Sequence, residues 1–142
     1  MSIMVSTRRN ATLFGLIVLF ALTVLFFIVG GQLFYVAAVF AIIFGILGLL
    51  LVVLTLRLHE PKIQRRFFFV TGVAAAGIPI SVVLHNLVYA LCMVFFGEGF
   101  WKEGSDEPFF FILAIIVCPA LFVIGAVGSM VVLVRCQMTK SD

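Results

Sequence analysis

The polar side chains that could do chemistry are concentrated in the third of four long apolar stretches. Ser81, His85 and Tyr89 follow one another at helical spacing and fall on one face of the predicted helix. Asn86 lies to the side of that face. Histidine is an ionisable residue, and ionisable residues at membrane depth are costly and commonly functional. These four residues form the candidate intramembrane polar site.

The role of His85 has two interpretations. A neutral imidazole could bridge two helices by donating to a carbonyl, or it could relay protons, contact a ligand or bind a metal. No carboxylate at its depth could orient it as a base. Cys92 and Cys118 lack the close cysteine spacing of zinc motifs. The sequence therefore predicts no catalytic residue, no metal site and no cofactor.

The composition decides which solvent surrounds these residues. The chain of 142 residues is 65% hydrophobic and only 11% charged, whereas about 25% of a water-soluble domain is charged. The apolar stretches cover about residues 12–29, 33–56, 67–96 and 109–134. Each reaches the roughly 17–25 residues that span a bilayer as a helix, and lipid forbids unpaired backbone groups. The sequence predicts an all-α integral membrane protein, a single domain over residues 1–142 formed by a four-transmembrane-helix bundle.

The third stretch is longer than a bilayer requires. About 30 residues make a straight helix of roughly 45 Å. We therefore expect it to tilt, to extend beyond the membrane or to bend. Pro79 lacks the backbone N–H that an α-helix needs at that position, so a kink is predicted near it.

Basic residues are distributed unequally between the two sides of the predicted membrane. Eight of the nine lysines and arginines lie in the N-terminal segment, the connection 57–66 and the C-terminal tail. The connection 97–108 has one lysine and four acidic residues. The positive-inside rule then places both termini in the cytoplasm. This distribution indicates contact with anionic lipid headgroups rather than nucleic acid.

Small residues line one face of two predicted helices. The face of the second helix carries Ala37, Ala38, Ala41, Gly45 and Gly48. The face of the fourth carries Ala114, Cys118, Gly125 and Ser129. Small residues allow helix backbones to approach closely in lipid. The faces could pack within the chain, or one of them could be a homo-oligomer interface.

Three functions are compatible with these features. The sequence favours a non-enzymatic accessory, structural or partner-binding protein of the plasma or inner membrane, in contact with the lipid bilayer and with other subunits. The alternative is a homo-oligomeric transporter or channel for a small solute or ion, with the polar site along its path. An intramembrane enzyme with His85 as its base is the weakest, because that His lacks an orienting carboxylate.

Overall fold

The computed structural model describes residues 2–30, 33–97, 100 and 108–138, and every regular element among them is helical. The first three helices are α1 (Ser2–Val29), α2 (Leu33–Leu56) and α3 (Lys62–Phe96). The fourth apolar segment consists of α4 (Pro108–Ile112), a π-helical segment (Leu113–Val117) and α5 (Cys118–Met138). The prediction of four helices long and apolar enough to span a membrane is confirmed. The acidic residues of the connection 97–108 lie outside the described residues.

Two helices begin well before their apolar runs. Helix α1 starts at Ser2 and α3 at Lys62, directly after Pro61. Lysine, arginine and glutamine are good helix formers, so polar residues can extend a helix beyond the apolar run. Proline lacks the N–H that a continuing helix would need, and α3 therefore begins after it. The extra length lies at the ends rich in basic residues.

The fourth apolar segment contains one wide turn. The N–H of Cys118 donates to the carbonyl of Leu113, five residues earlier, instead of four. Pro119 follows directly and has no N–H to donate. A π-helical turn is one of the few ways in which a helix accommodates such an interruption. The bend of α3 at Pro79, by contrast, stays a prediction, because α3 continues as an α-helix through that residue.

Helices that follow each other in the chain pack against each other: α1 on α2, α2 on α3, and α3 on the fourth apolar segment. Arg9 of α1 pairs with Glu60, and Cys136 of α5 contacts Gln64 of α3. These contacts bring the start of α1, the connection between α2 and α3, and the end of α5 together. We call this end of the molecule the basic end. We call the opposite end the acidic end, after the sequence of the connection 97–108.

The buried residues are distributed unevenly between these ends. The acidic-end half comprises residues 18–29, 33–43, 78–97 and 108–117, and the basic-end half comprises the remaining described helical residues. Of the described residues in the acidic-end half, only Ala37, Ser81 and Ala114 are buried. The basic-end half contains the apolar core, which is centred on Leu13, Leu16, Phe44, Leu51, Phe68 and Phe122.

Glycine allows the helices of the basic-end half to approach closely. A Cβ added to Gly48 would lie 2.7 Å from the backbone nitrogen of Ala76 and 2.8 Å from the carbonyl oxygen of Gly72. A Cβ added to Gly125 would lie 2.6 Å from the hydroxyl of Thr71. Both glycines belong to the small-residue faces, and both of these contacts are with α3. At Gly48 and Gly125 the faces therefore pack within the chain, whereas Ala38 is exposed.

Candidate functional site

The predicted polar site begins at Ser81, which is buried where α3 meets the fourth apolar segment. Its side chain shares a hydrogen bond with the thiol of Cys118. Gly77, one turn earlier, lies so close that an added Cβ would be 2.9 Å from the same sulfur. The small residues on both helices allow this close contact. Ser81 and Cys118 form one polar contact between two apolar helices.

His85 and Tyr89 follow on the same side of α3, closer to the acidic end. The imidazole of His85 is half-buried and lies 5.7 Å from the ring of Phe111, centroid to centroid. Tyr89 is 37% exposed. An aromatic side chain is therefore the ring neighbour of His85 on the fourth apolar segment, and the contact resembles ordinary aromatic packing.

Asn86 lies on a different side of α3 and is exposed. Its amide nitrogen donates to the carbonyl oxygen of Val82, one turn earlier, at 2.8 Å. Ser81 and Asn86 are five residues apart, which is about 140° around a helix at 3.6 residues per turn. The four predicted residues therefore do not converge on one cavity.

Arg9 is the most unusual residue of the basic end, because it is fully buried. Its guanidinium pairs with Glu60, and its Nη2 donates to Oδ1 of Asn10 at 2.9 Å. The guanidinium carbon also lies 3.9 Å from the centre of the Phe68 ring. Arginine is suited to such a position because it combines a planar donor array with stacking on aromatic rings.

The burial of Arg9 was not predicted from the sequence, where Arg8 and Arg9 both look like membrane-flanking charges. A signal was nevertheless present. Leu13, Leu16 and Phe20 follow Arg9 at intervals of four, three and four residues, which places all four on one helix face. Leu13 and Leu16 are fully buried. Extending this apolar face backwards along α1 selects Arg9 and leaves Arg8 outside.

The other buried polar side chains have partners within the chain. Thr71 donates to the carbonyl oxygen of Phe67 at 2.8 Å and lies 3.4 Å from the hydroxyl of Ser129 on α5. Thr55 donates to the carbonyl oxygen of Leu51 at 2.7 Å. Gln64 accepts from the thiol of Cys136 at 3.9 Å. Each of these buried polar side chains therefore has at least one partner within the described part of the chain, as is usual for buried polar groups.

The contacts of the buried polar side chains indicate that these groups hold helices together. The buried groups connect α1 to the connection between α2 and α3, and α3 to α5. Among the residues that the structure describes, no three histidine, cysteine or acidic side chains come close enough to hold a metal ion.

No protein-family model, curated protein or solved structure matches this chain.

Proposed function

We propose that this chain is a non-enzymatic, partner-binding component of a cell membrane, either plasma or inner, with four transmembrane helices. The spans Met4–Val29, Tyr35–Leu56, Lys62–Phe96 and Pro108–Cys136 support the placement in a membrane. The shortest has 22 residues, or about 33 Å of helix, against a hydrocarbon core of about 30 Å.

Both termini are proposed to face the cytoplasm. The contacts of Arg9 with Glu60 and of Cys136 with Gln64 support this orientation, because they gather the three basic segments at one end of the molecule. The positive-inside rule then applies to that end as a whole. Reporter fusions at Lys62 and at the C-terminus should be active only in the cytoplasm, and fusions at Gly31 and Gly104 only outside. The reverse pattern would overturn the orientation.

The exposed amide of Asn86 is the observation that carries partner binding. Asn86 lies ten residues before the end of α3, about 15 Å along the helix, and therefore deep in the membrane. Its amide has two donors and two acceptor sites, of which the bond to Val82 uses one donor. Lipid chains cannot satisfy the remainder. A polar group on a neighbouring helix can, and asparagine commonly mediates helix association in membranes.

The surface around Asn86 fits a second helix. Ala90 follows one turn later and is exposed, so a partner backbone can approach closely there. Val83 and Leu87 lie beside the pair, both toward the same side of α3, and are 64% and 50% exposed. Among the described residues, each buried polar side chain has a partner within the chain, whereas this exposed surface is open to a neighbouring helix.

Photo-crosslinking in native membranes tests this proposal. A photoreactive residue at Ala90 should give a protein adduct, and the Asn86→Val substitution should remove most of it. A photoreactive residue at Val18, exposed on α1, is the matched control and should give lipid adducts only. The intact mass of the purified assembly then tells a second copy from a different subunit. Lipid adducts alone at Ala90 would contradict the proposal.

The transporter or channel alternative gives different results. A path along Ser81, His85 and Tyr89 would contain water, so a cysteine at Tyr89 would react with a membrane-impermeant thiol reagent. His85→Gln would abolish pH-dependent flux into vesicles, because an amide cannot change charge near neutral pH. We expect no labelling at position 89 and no flux dependent on His85. Positive results in both assays would replace the partner-binding proposal with the alternative.

A further inference from the structure

A groove of about 480 Å³ opens on the surface at the basic end. It lies between the end of α2 and the first two turns of α3. Three basic and two apolar side chains line it: Leu56, Lys62, Arg65, Arg66 and Phe69. Its volume is within the roughly 300–1,000 Å³ of small-molecule sites. Its lining combines cations with apolar side chains.

The chemical character of the groove changes along α3. Lys62, Arg65 and Arg66 occupy the first turns, and Phe69 follows at the next helical position on the same side. Leu56, at the end of α2, is also apolar. The cations therefore lie toward the connection 57–66, and the phenyl ring lies toward the apolar part of the span. A ligand that fits this gradient has an anionic part and an apolar part.

The positive charge of the groove is not neutralised by the described part of the chain. Glu60 is the one acidic residue in the connection 57–66, and it pairs with the buried Arg9. No described carboxylate forms an ion pair with Lys62, Arg65 or Arg66. The pairing of Arg9 with Glu60 therefore stabilises the basic end, and it leaves three cations together with no counter-charge from the described residues.

The backbone at the start of α3 adds to the positive potential of the groove. Pro61 is the residue before the helix, and no side chain caps its first N–H groups. Uncapped N–H groups at a helix start carry partial positive charge and attract anions. Lys62 lies at that start. The backbone contribution has the same sign as the three side chains and points to the same kind of ligand.

We infer that this groove binds the headgroup of an anionic phospholipid that carries a phosphomonoester. Such a group has a charge of about −1.5 to −2 near neutral pH and suits a cluster of cations. Leu56 and Phe69 would contact the first carbons of an acyl chain. The inference rests on the proposed membrane placement, which puts this end against the leaflet that is rich in anionic lipid.

A soluble phosphorylated compound shares the headgroup chemistry, but the apolar part of the groove favours the lipid. The lipid is also presented at the height of the groove by the bilayer itself. Dioleoyl phosphatidic acid is a suitable probe, because its headgroup is a bare phosphomonoester. Dioleoyl phosphatidylcholine, which has the same chains and no net charge, is the matched control lipid.

The test uses the full chain in neutral detergent, with bound lipid counted by native mass spectrometry. Phosphatidic acid should bind and phosphatidylcholine should not. The double variant Arg65→Gln/Arg66→Gln should bind phosphatidic acid about 30-fold more weakly, since each basic residue near a membrane surface contributes about 1 kcal/mol. Lys62→Gln should weaken binding about fivefold on the same basis.

The control variant Arg8→Gln/Arg57→Gln removes the same charge from exposed positions that do not line the groove, and it should change binding less than twofold. Equal losses in the two double variants would overturn the inference in favour of a general charge effect. Glycerol 3-phosphate tests whether a soluble phosphomonoester binds the same groove. If it displaces phosphatidic acid at equal concentration, the occupant is a soluble anion and the lipid assignment is wrong.

Failure of the lipid site can be distinguished from failure of the proposed membrane placement. All variants should insert into vesicles and elute as the unmodified chain does, because the altered residues are exposed. If the unmodified chain fails to insert into vesicles, the membrane placement itself is wrong. If it inserts, and the groove variants bind phosphatidic acid as the unmodified chain does, only the lipid site is overturned.

Discussion

The two halves of this molecule are built by different means. In the basic-end half, glycines bring helices into contact, a buried ion pair joins α1 to the connection between α2 and α3, and the rings of Phe44 and Phe122 meet in the core. In the acidic-end half, three described residues are buried and large apolar side chains face outward. In the proposed membrane, lipid is as apolar as leucine, so hydrophobicity alone does not hold helices together there. Close packing and polar pairs do, and both are concentrated at the basic end.

The largest loss of stability is expected from disrupting the buried ion pair of Arg9 and Glu60. Glu60→Ala would leave the guanidinium of Arg9 buried without a counter-charge, which should lower the free energy of unfolding by about 3 kcal/mol. The neighbouring Arg8→Ala, at an exposed position, should change it by less than about 0.5 kcal/mol. Unfolding in mixed micelles by a denaturing detergent measures both.

A second variant separates charge from packing at this pair. Arg9→Met with Glu60→Leu removes both charges and should recover most of the stability lost in Glu60→Ala, because no buried charge is left unpaired. If Glu60→Ala is no less stable than Arg8→Ala, the ion pair is not what distinguishes the basic end.

The next effect concerns the aromatic core. The ring of Phe122 lies 4.8 Å from that of Phe20 and 4.9 Å from that of Phe44, centroid to centroid. Phe122→Ala would open a cavity and should lower stability by about 2 kcal/mol, mostly from lost packing contacts. Phe95→Ala in the acidic-end half, where that ring is 75% exposed, should change it by less than about 0.5 kcal/mol. Equal losses would mean that both halves are packed alike.

The smallest change in stability is expected from substituting two glycines, Gly48 and Gly15. Gly48→Ala places a methyl group against the backbone of α3 and should cost about 1 kcal/mol. An added Cβ at Gly15 on α1 would meet no atom within 4 Å beyond the adjacent residues and backbone of its own helix, so Gly15→Ala should raise stability by about 0.5 kcal/mol through helix propensity. Thermal unfolding in detergent measures both. Two changes of the same sign would contradict the assignment of Gly48 to a close contact.

The sequence predicted the apolar part of this structure well, because span length and composition are local properties. The close contacts of Gly48 and Gly125 were also predictable, since a row of small residues on a helix favours a neighbouring backbone. The partner of each row was not predictable, because it depends on how the helices are arranged. The sequence favoured packing within the chain for these rows but left self-association open.

The polar residues were harder to predict for the same reason. Ser81, His85 and Asn86 are close in sequence, yet only Ser81 is buried, because the position of the fourth apolar segment decides which side of α3 is covered. The pairing of Arg9 with Glu60 joins residues 51 positions apart. No local pattern specifies such a pair, although the helical phase of α1 does specify that Arg9 points inward.

The wide turn at Leu113–Val117 has a consequence for how this chain can change in length. Elsewhere in a helix, deleting one residue rotates everything beyond it by about 100° and turns the buried face outward. A π-helical turn already contains one residue more than an α-helical turn would need. Losing one residue there would exchange the wide turn for an ordinary proline bend before Pro119. The faces of α4 and α5 would keep their relative orientation, so this short segment is where the helix can lose a residue and retain its fold.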